Sequence, residues 1–347
     1  MRYNNLGHSE IKVSELCLGS MTWGSQNTPQ DAYQQIDMAL DYGVNFIDTA
    51  EMYPTTPLGK DTQGDTERII GDWIAQSGQR SDVIIATKVS GKGYKNVRDG
   101  APISPASITT AIENSLRSLR TDYIDLYQLH WPNRGSYMFR QNWTYDPTQQ
   151  DTNGTLDHMM ETLQHLDNLR LSGKIRHIGL SYETAWGTSR WLTTARTHNL
   201  PQMVSIQNEY SLLCRLFDLD MAELSHHENI GLLSYSPLAA GLLSGKYADG
   251  TTPTGTRRSI NADLGGRINE HLWPALNGYL DIAERHELDP CQMALAWAAT
   301  RPFITSQIIG ATSITQLQTA LESTNITLSD AVMCDIQNNY RRYPMPF

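Results

Sequence analysis

The chain has 347 residues, 39% of them hydrophobic and 18% charged, with 27 Lys and Arg against 37 Asp and Glu for a formal net charge of −10. That composition excludes a disordered chain, and an acidic sequence with no basic run longer than Arg257-Arg258 offers nothing to track a phosphate backbone, so no nucleic-acid partner is expected. No apolar run approaches the roughly 18 residues of a membrane span, and no apolar leader follows Met1 to Asn5. Cys17, Cys214, Cys291 and Cys334 lie too far apart for a zinc site or disulfide framework, so a cytoplasmic chain without a membrane partner is expected.

In chain order, short apolar runs rich in β-branched residues alternate with longer segments of helical period. The first run is Leu16 to Gly19. Thr28 and Pro29 then supply an N-cap and a first-turn proline ahead of Ala32, Ile36, Ala39 and Leu40, one face that ends at Gly43. Val44 to Asp48 and Val83 to Lys88 follow. Ser104 and Pro105 repeat the cap before Ile108, Ala111, Ile112, Ser115, Leu116 and Leu119. Tyr123 to His130 is the fourth run. It leads into a long loop, Pro132 to Asp151, carrying Tyr137, Phe139, Trp143 and Tyr145, whose length suits a lid or pocket wall. Leu156, Met159, Met160, Leu163 and Leu166 mark a further helix that stops at Gly173. The remaining runs are Ile175 to Ser181, Met203 to Asn208, Ile230 to Tyr235 and Ile304 to Ile309. Eight strand–helix repeats with no composition break predict an α/β fold, a single-domain (β/α)8 TIM barrel over 1–347 with its active site at the C-terminal mouth. An open doubly wound sheet is the structural alternative.

Several features carry no chemistry. Asn142, Asn153 and Asn325 open N-x-Thr triplets, but without a secretory leader these are chance matches. His158 and His165 are spaced along one helix and His226 and His227 are adjacent, with no third ligand at a plausible spacing, so no metal is expected.

The strand ends are different. Successive runs finish at Asp48, Lys88, His130, Ser181, Gln207-Asn208 and Tyr235-Ser236, and the last leads into Gly310, Ala311 and Thr312. An acid, a lysine and a histidine aimed at one mouth are not what a packing role selects. Tyr53 lies five residues beyond Asp48. A free phenol near pKa 10 is a poor donor at neutral pH. An ammonium about 4 Å away is worth on the order of 4 kcal/mol at an effective dielectric of 20, enough to lower that value by roughly three before burial is subtracted. Lys88 can supply the charge, Asp48 can hold Lys88, and a neutral His130 can orient a carbonyl. A tyrosine acid without a nucleophilic Ser or Cys leaves hydride as the attacking species, which calls for a nicotinamide cofactor.

Over nearly its whole length the chain resembles the aldo-keto reductases, and within them the bacterial Tas-type oxidoreductases. The likeness is carried by Leu18-Gly19-Ser20-Met21-Thr22-Trp23-Gly24, by Asn45 through Tyr53, by Ala86-Thr87-Lys88, by Arg120 through Pro132 and by Gly173 through Gly179. The resemblance implies a catalytic tetrad of Asp48, Tyr53, Lys88 and His130 with Tyr53 as proton donor, and NADPH/NADP+ across the mouth. It implies that Gly19, Met21, Thr22 and Asp48 approach the nicotinamide ribose, that Ser181 and Gln207 bond the carboxamide, and that Tyr235 stacks on the ring. Ser236-Pro237-Leu238 and Gly241 to Lys246, including Ser244, resemble the pyrophosphate loop, with Lys246 and Arg257 supplying charge; Gly310, Ala311, Thr312 and Gln316 resemble the adenosine end. Gly241 to Lys246 is one residue short of a P-loop and lacks Ser or Thr after the lysine. Tyr182 stands where the family usually has Asn, Ile309 where many members have Pro, and Ala320 where an Asn often contacts adenine, which leaves NADH open beside NADPH. Adjacency to the tetrad places Trp23, Met52 and Trp131 in the wall of a pocket for a small-molecule carbonyl substrate.

Two function classes follow. One is an NADPH-dependent reductase of aldehydes or ketones. The other is a redox-sensing, cofactor-binding subunit like the β-subunits of potassium channels, which share this fold but typically carry Asn where this chain has His130. A relative that binds cofactor without turnover is a third.

Overall fold

The computed structural model describes residues 1–347. Its strands are β1 (Tyr3–Asn5), β2 (Lys12–Ser14), β3 (Leu16–Gly19), β4 (Phe46–Asp48), β5 (Ile84–Val89), β6 (Ile124–Leu129), β7 (Ile175–Ser181), β8 (Ser205–Glu209), β9 (Gly231–Tyr235) and β10 (Ile304–Ile309). From β3 to β10 each strand pairs in parallel with the next, and β10 returns to β3 through Gln307–Leu16, Ile308–Cys17 and Ile309–Leu18. The ring is closed, so the open-sheet alternative falls. All eight predicted runs are barrel strands. The fourth is shorter than its apolar pattern, with His130 just past the end of β6, where its backbone N–H still donates to Val89 O at 3.0 Å.

The helices are α1 (Pro29–Asp41), α2 (Asp65–Ser77), α3 (Pro105–Leu119), α4 (Thr152–Leu171), α5 (Ala185–Thr197), α6 (Asp220–Glu228), α7 (Arg257–Ile260), α8 (Leu272–Arg285), α9 (Pro290–Ala298), α10 (Ile314–Glu322) and α11 (Asp330–Arg342). The predicted caps have a mechanism in the structure. Thr28 Oγ1 accepts from Asp31 N while Asp31 accepts from Thr28 N, and Ser104 makes the same reciprocal pair with Ser107. No helix is long and apolar enough to cross a membrane.

Apolar packing is divided by the barrel wall. A cluster of 67 buried residues fills the space between strands and helices, whereas Leu6, Val13, Cys17, Phe46, Ala86, Leu126, Val204, Leu233 and Ile308 form a small separate core. Leu6 and Val13 come from the antiparallel hairpin of β1 and β2, which precedes the barrel and closes its lower end. The hairpin leaves no pattern in the sequence, since strands of three residues, β1 fully exposed, show too little alternation. With the bottom closed, the polar strand ends have one opening to share.

Candidate active site

Strand register brings the acid and the base together. Asp48 ends β4 level with Gly19 of β3 and Ala86 of β5, and Lys88 lies one inward-facing position further along β5. Asp48 and Lys88 are both buried, and the Lys88 Nζ donates to Asp48 Oδ2 at 2.6 Å, to Thr49 O at 2.8 Å and to Tyr53 Oη at 3.4 Å. An ammonium has three hydrogens, so every donor of this fully buried charge is matched. Breaking such a pair by removing one partner costs about 3–5 kcal/mol, because the other charge is stranded.

Tyr53 is half-buried on the loop after β4, with its ring 4.9 Å from Lys88 Nζ and 6.0 Å, edge-on, from the His130 ring. His130 Nδ1 has no partner in the chain, and burial followed by the Lys88 charge holds the imidazole well below its usual range, which keeps it neutral at pH 7. The phenol behaves opposite to the sequence expectation. Burial raises Tyr53 well above 10, Asp48 raises it further and Arg257 opposes them. The expected acidification by Lys88 fails because Asp48 sits directly on the ammonium, so the phenol meets a nearly neutral pair inside a desolvated site. Tyr53 therefore stays protonated.

Most positions assigned to the cofactor line this same end of the barrel. Gly19 is required by close approach: a Cβ there would lie 2.8 Å from Ile308 Cγ2 and 3.0 Å from Ile309 O. Met21 and Thr22 follow on the β3–α1 loop, where Met21 O accepts from Thr55 N at 3.1 Å and Thr22 Oγ1 donates to Asn27 Oδ1 at 2.8 Å. Ser181 Oγ donates to Gln207 O at 3.0 Å, and Gln207 Nε2 reaches Asp48 Oδ1 at 2.8 Å. Tyr235 ends β9. Ser236, Pro237 and Leu238 lead into a tight turn in which Ala239, Ala240 and Gly241 all have positive φ, and Ser244 Oγ donates to Gly241 O at 2.7 Å. A Cβ on Gly241 would lie 2.8 Å from Lys246 Cε, so the lysine stem crosses that glycine. Arg140 and Arg267 both pair with Glu209, whereas Lys246 and Arg257 have no carboxylate partner. Gly310 to Thr312 leave β10 beside α10, with Gln316 Oε1 accepting from Thr312 N at 3.0 Å and from its hydroxyl at 3.2 Å.

One assignment changes. Trp23 is fully buried and its Nε1 donates to Gln35 Oε1 of α1 at 2.9 Å, so it belongs to the core and not to a pocket wall. Its place beside the glycine motif does not separate the two roles. Met52 is nearly buried against Ala50, Val97 and Tyr53, and Trp131 stands half-exposed 4.8 Å from the His130 ring.

The loop from Pro132 to Asp151 is tied to the mouth. Phe139 stacks on Tyr182 at 4.0 Å and 12°, Ser136 Oγ donates to Tyr182 O at 2.9 Å, and Arg140 pairs with Glu209 at 2.8 Å. Arg134 forms a buried pair with Glu183, and its loop forms one side of a cleft of about 520 Å³ reaching Trp131 and Ser181. These pairings join residues 43 to 69 positions apart, and no spacing in the sequence announces them. Gln128, one residue pair below His130, is a further member of the site that the strand-end reading passed over.

Residues 15–341 match the aldo/keto reductase family. The chain is 42% identical over 352 aligned positions to the protein tas of Escherichia coli strain K12, covering 100% of this chain and 99% of that one. It is 33% identical to the uncharacterized oxidoreductase YrpG of Bacillus subtilis strain 168, over 96% and 94% of the two chains. It is 28% identical to a probable voltage-gated potassium channel subunit beta of Arabidopsis thaliana, over 94% and 92%.

Proposed function

We propose that this chain, which belongs to the aldo/keto reductase family and is an oxidoreductase of that family, reduces aldehydes or ketones to alcohols with NADPH. The observation that carries the reading is the Lys88 ammonium donating to Tyr53 Oη, for a phenol oxygen that accepts from Lys88 is left with its own hydrogen directed elsewhere, toward a bound carbonyl. Tyr53 gives that proton, and Lys88 then faces the phenolate oxygen with its charge. Asp48 anchors Lys88 through the reaction. His130, neutral and 6.0 Å from the Tyr53 ring centre, offers an imidazole hydrogen to the same substrate oxygen.

The residues present fit a nicotinamide dinucleotide. Lys246 and Arg257 have no carboxylate partner, the Lys246 stem crosses a glycine turn, and Gln207 Oε1 accepts from nothing in the chain. Gly19, Met21, Thr22, Ser181, Gln207 and Tyr235 would hold the nicotinamide end, Ser236 to Leu238, Gly241, Ser244, Lys246 and Arg257 the phosphates, and Gly310 to Thr312 with Gln316 the adenosine. When bound, that group supplies the hydride. A cofactor-binding subunit without turnover has no need of a protonated phenol, a neutral imidazole and a matched ammonium around one point. Trp131, Met52 and the aromatic residues of the 132–151 loop suit an apolar or aromatic carbonyl compound, handled in the cytoplasm.

Tyr53→Phe tests the acid. It should leave the circular dichroism spectrum and the NADPH fluorescence titration unchanged and lower NADPH oxidation with an aldehyde by at least about 100-fold, the usual contribution of a positioned general acid. Undiminished turnover would remove Tyr53 from the role.

A further inference from the structure

The cleft of about 520 Å³ opens between the β5–α3 loop and the first turns of α4, lined by Leu129 and Leu180 from the outer face of the barrel wall. That volume falls within the roughly 300–1,000 Å³ of small-molecule sites. Its walls are pinned. Asn133 Nδ2 donates to Ile103 O at 2.9 Å while Asn133 Oδ1 accepts from Ile103 N at 2.9 Å, and Gln150 Nε2 donates to Arg134 O at 3.2 Å. The buried Arg134–Glu183 pair lines it too, packed over Gly187, where a Cβ would lie 2.1 Å from Glu183 Oε1.

Trp131 joins the cleft to the reacting groups. Its Nε1 donates to Lys92 O at 3.1 Å, and its ring rests on Gly91, where a Cβ would lie 2.4 Å from Trp131 Cδ1. Held in this way, the indole lines the cleft and stands 4.8 Å from the His130 ring. A substituent leaving a carbonyl beside Tyr53 and His130 reaches the cleft along Trp131. Under the lid, by contrast, the space between Phe139, Met221 and Phe347 holds about 30 Å³, room for water and for no substituent.

The cleft offers no net charge. Arg134 and Glu183 neutralise each other, and burial holds His158 below its usual range, with Glu161 opposing and Arg134 adding, so it is neutral at pH 7. Two free charges remain, the exposed Lys92 ammonium and Asp151 carboxylate, of opposite sign. Asp151 gives Oδ1 to Gly154 N as the cap of α4 and leaves Oδ2 open, and the exposed Gln149 amide has no partner in the chain. A charged tail would meet one attraction and one repulsion. Donors and acceptors stand together here, and the hydroxyl is the neutral group that serves both. Pro102 and Trp131 add apolar surface among them. A sugar ring matches both, with its C–H faces and its rim of hydroxyls.

We propose that this cleft is a subsite for a neutral, hydroxyl-rich substituent of the carbonyl substrate, a glycosyl group, so that glycosylated aromatic aldehydes or ketones are preferred to bare ones. This rests on the reading of the mouth as a site of carbonyl reduction.

The experiment follows NADPH oxidation by the full chain at pH 7 with three para-alkoxybenzaldehydes: 4-methoxybenzaldehyde, 4-formylphenyl β-D-glucopyranoside and 4-formylphenoxyacetic acid. The glucoside should show a KM at least about tenfold below that of the methyl ether at similar kcat, the scale of one or two hydrogen bonds made equally in ground and transition states. The charged ether should show no such gain. Lys92→Ala combined with Gln149→Ala, both at exposed side chains, should bring the glucoside to within about threefold of the methyl ether and leave the methyl ether unchanged. Thr155→Trp, which fills the cleft from α4, should do the same. A titration without NADPH should rank the product alcohols alike, 4-(hydroxymethyl)phenyl β-D-glucopyranoside binding at least about tenfold more tightly than 4-methoxybenzyl alcohol. No preference for the glucoside in the wild type overturns the proposal, as does a preference for the charged ether or an equal loss on both neutral substrates in the variants. A chain that prefers the glucosyl alcohol in the titration yet oxidises NADPH with none of the aldehydes refutes the carbonyl-reduction reading instead.

Discussion

Glu67 gives the strand that carries Lys88 a measurable pH signature. It lies on α2, 2% exposed, and accepts from the Thr87 hydroxyl at 2.6 Å, the residue next to Lys88. Burial pushes its carboxyl from 4.5 up to about 7, with Glu51 adding to the rise and the hydroxyls of Thr87 and Ser115 opposing it. Because the folded value lies above the unfolded one, the native state holds a proton that the unfolded chain releases. The associated stability is fully present below about pH 4.5 and is lost as pH rises through about 7. A difference of that size corresponds to about 3 kcal/mol. Glu67→Gln removes the titration, keeps an acceptor for Thr87, and brings an N–H toward the Ser115 hydroxyl, which is buried without a geometric partner. Urea denaturation at pH 5 and pH 8 should therefore show a variant close to the wild type in acid and more stable by about 2–3 kcal/mol at pH 8. A variant no better at pH 8 than at pH 5, relative to wild type, would show that the carboxyl is ionised in the fold and that its burial has been misjudged.

Two further outcomes test the site's charges. Lys88→Met strands the Asp48 carboxylate inside the barrel and should cost about 3–5 kcal/mol in the same assay, while adding Asp48→Asn should recover part of that loss; strictly additive losses would mean the pair is not coupled. Lys246→Ala and Arg257→Ala should each weaken NADPH binding about tenfold or more, with the effect shrinking as salt rises and the single-turnover hydride rate little changed; a change confined to the chemical rate would contradict a phosphate role.

What the sequence made legible depends on whether a residue's chemistry conflicts with its position. Asp48, Lys88 and His130 are ionisable groups at the ends of apolar runs, a conflict visible without coordinates, and the eight-fold repeat gives them one place to meet. Gln128 creates no such conflict, because a single amide within Tyr127-Gln128-Leu129 passes for an inward polar position, and its meaning arises only when β4, β6 and β8 bring Asp48, Gln128 and Gln207 together inside the barrel. Glu67 is hidden in the opposite way. It sits among the acidic residues of a helix's first turn, where carboxylates are common on the exposed face, and only the packing of α2 on β5 shows that this one is sealed. Trp23 illustrates the limit of proximity along the chain, since a residue next to a glycine motif can point into the core as readily as into the mouth. The Tyr53 phenol answers to the whole site and not to one neighbour. Lys88 alone would lower its pKa, whereas burial and then the Asp48 charge beside the same ammonium raise it. In the proposed reaction a protonated phenol held by a neutralised ammonium is a poised acid rather than an ionised one, and its proton would move only as negative charge develops on a bound carbonyl oxygen.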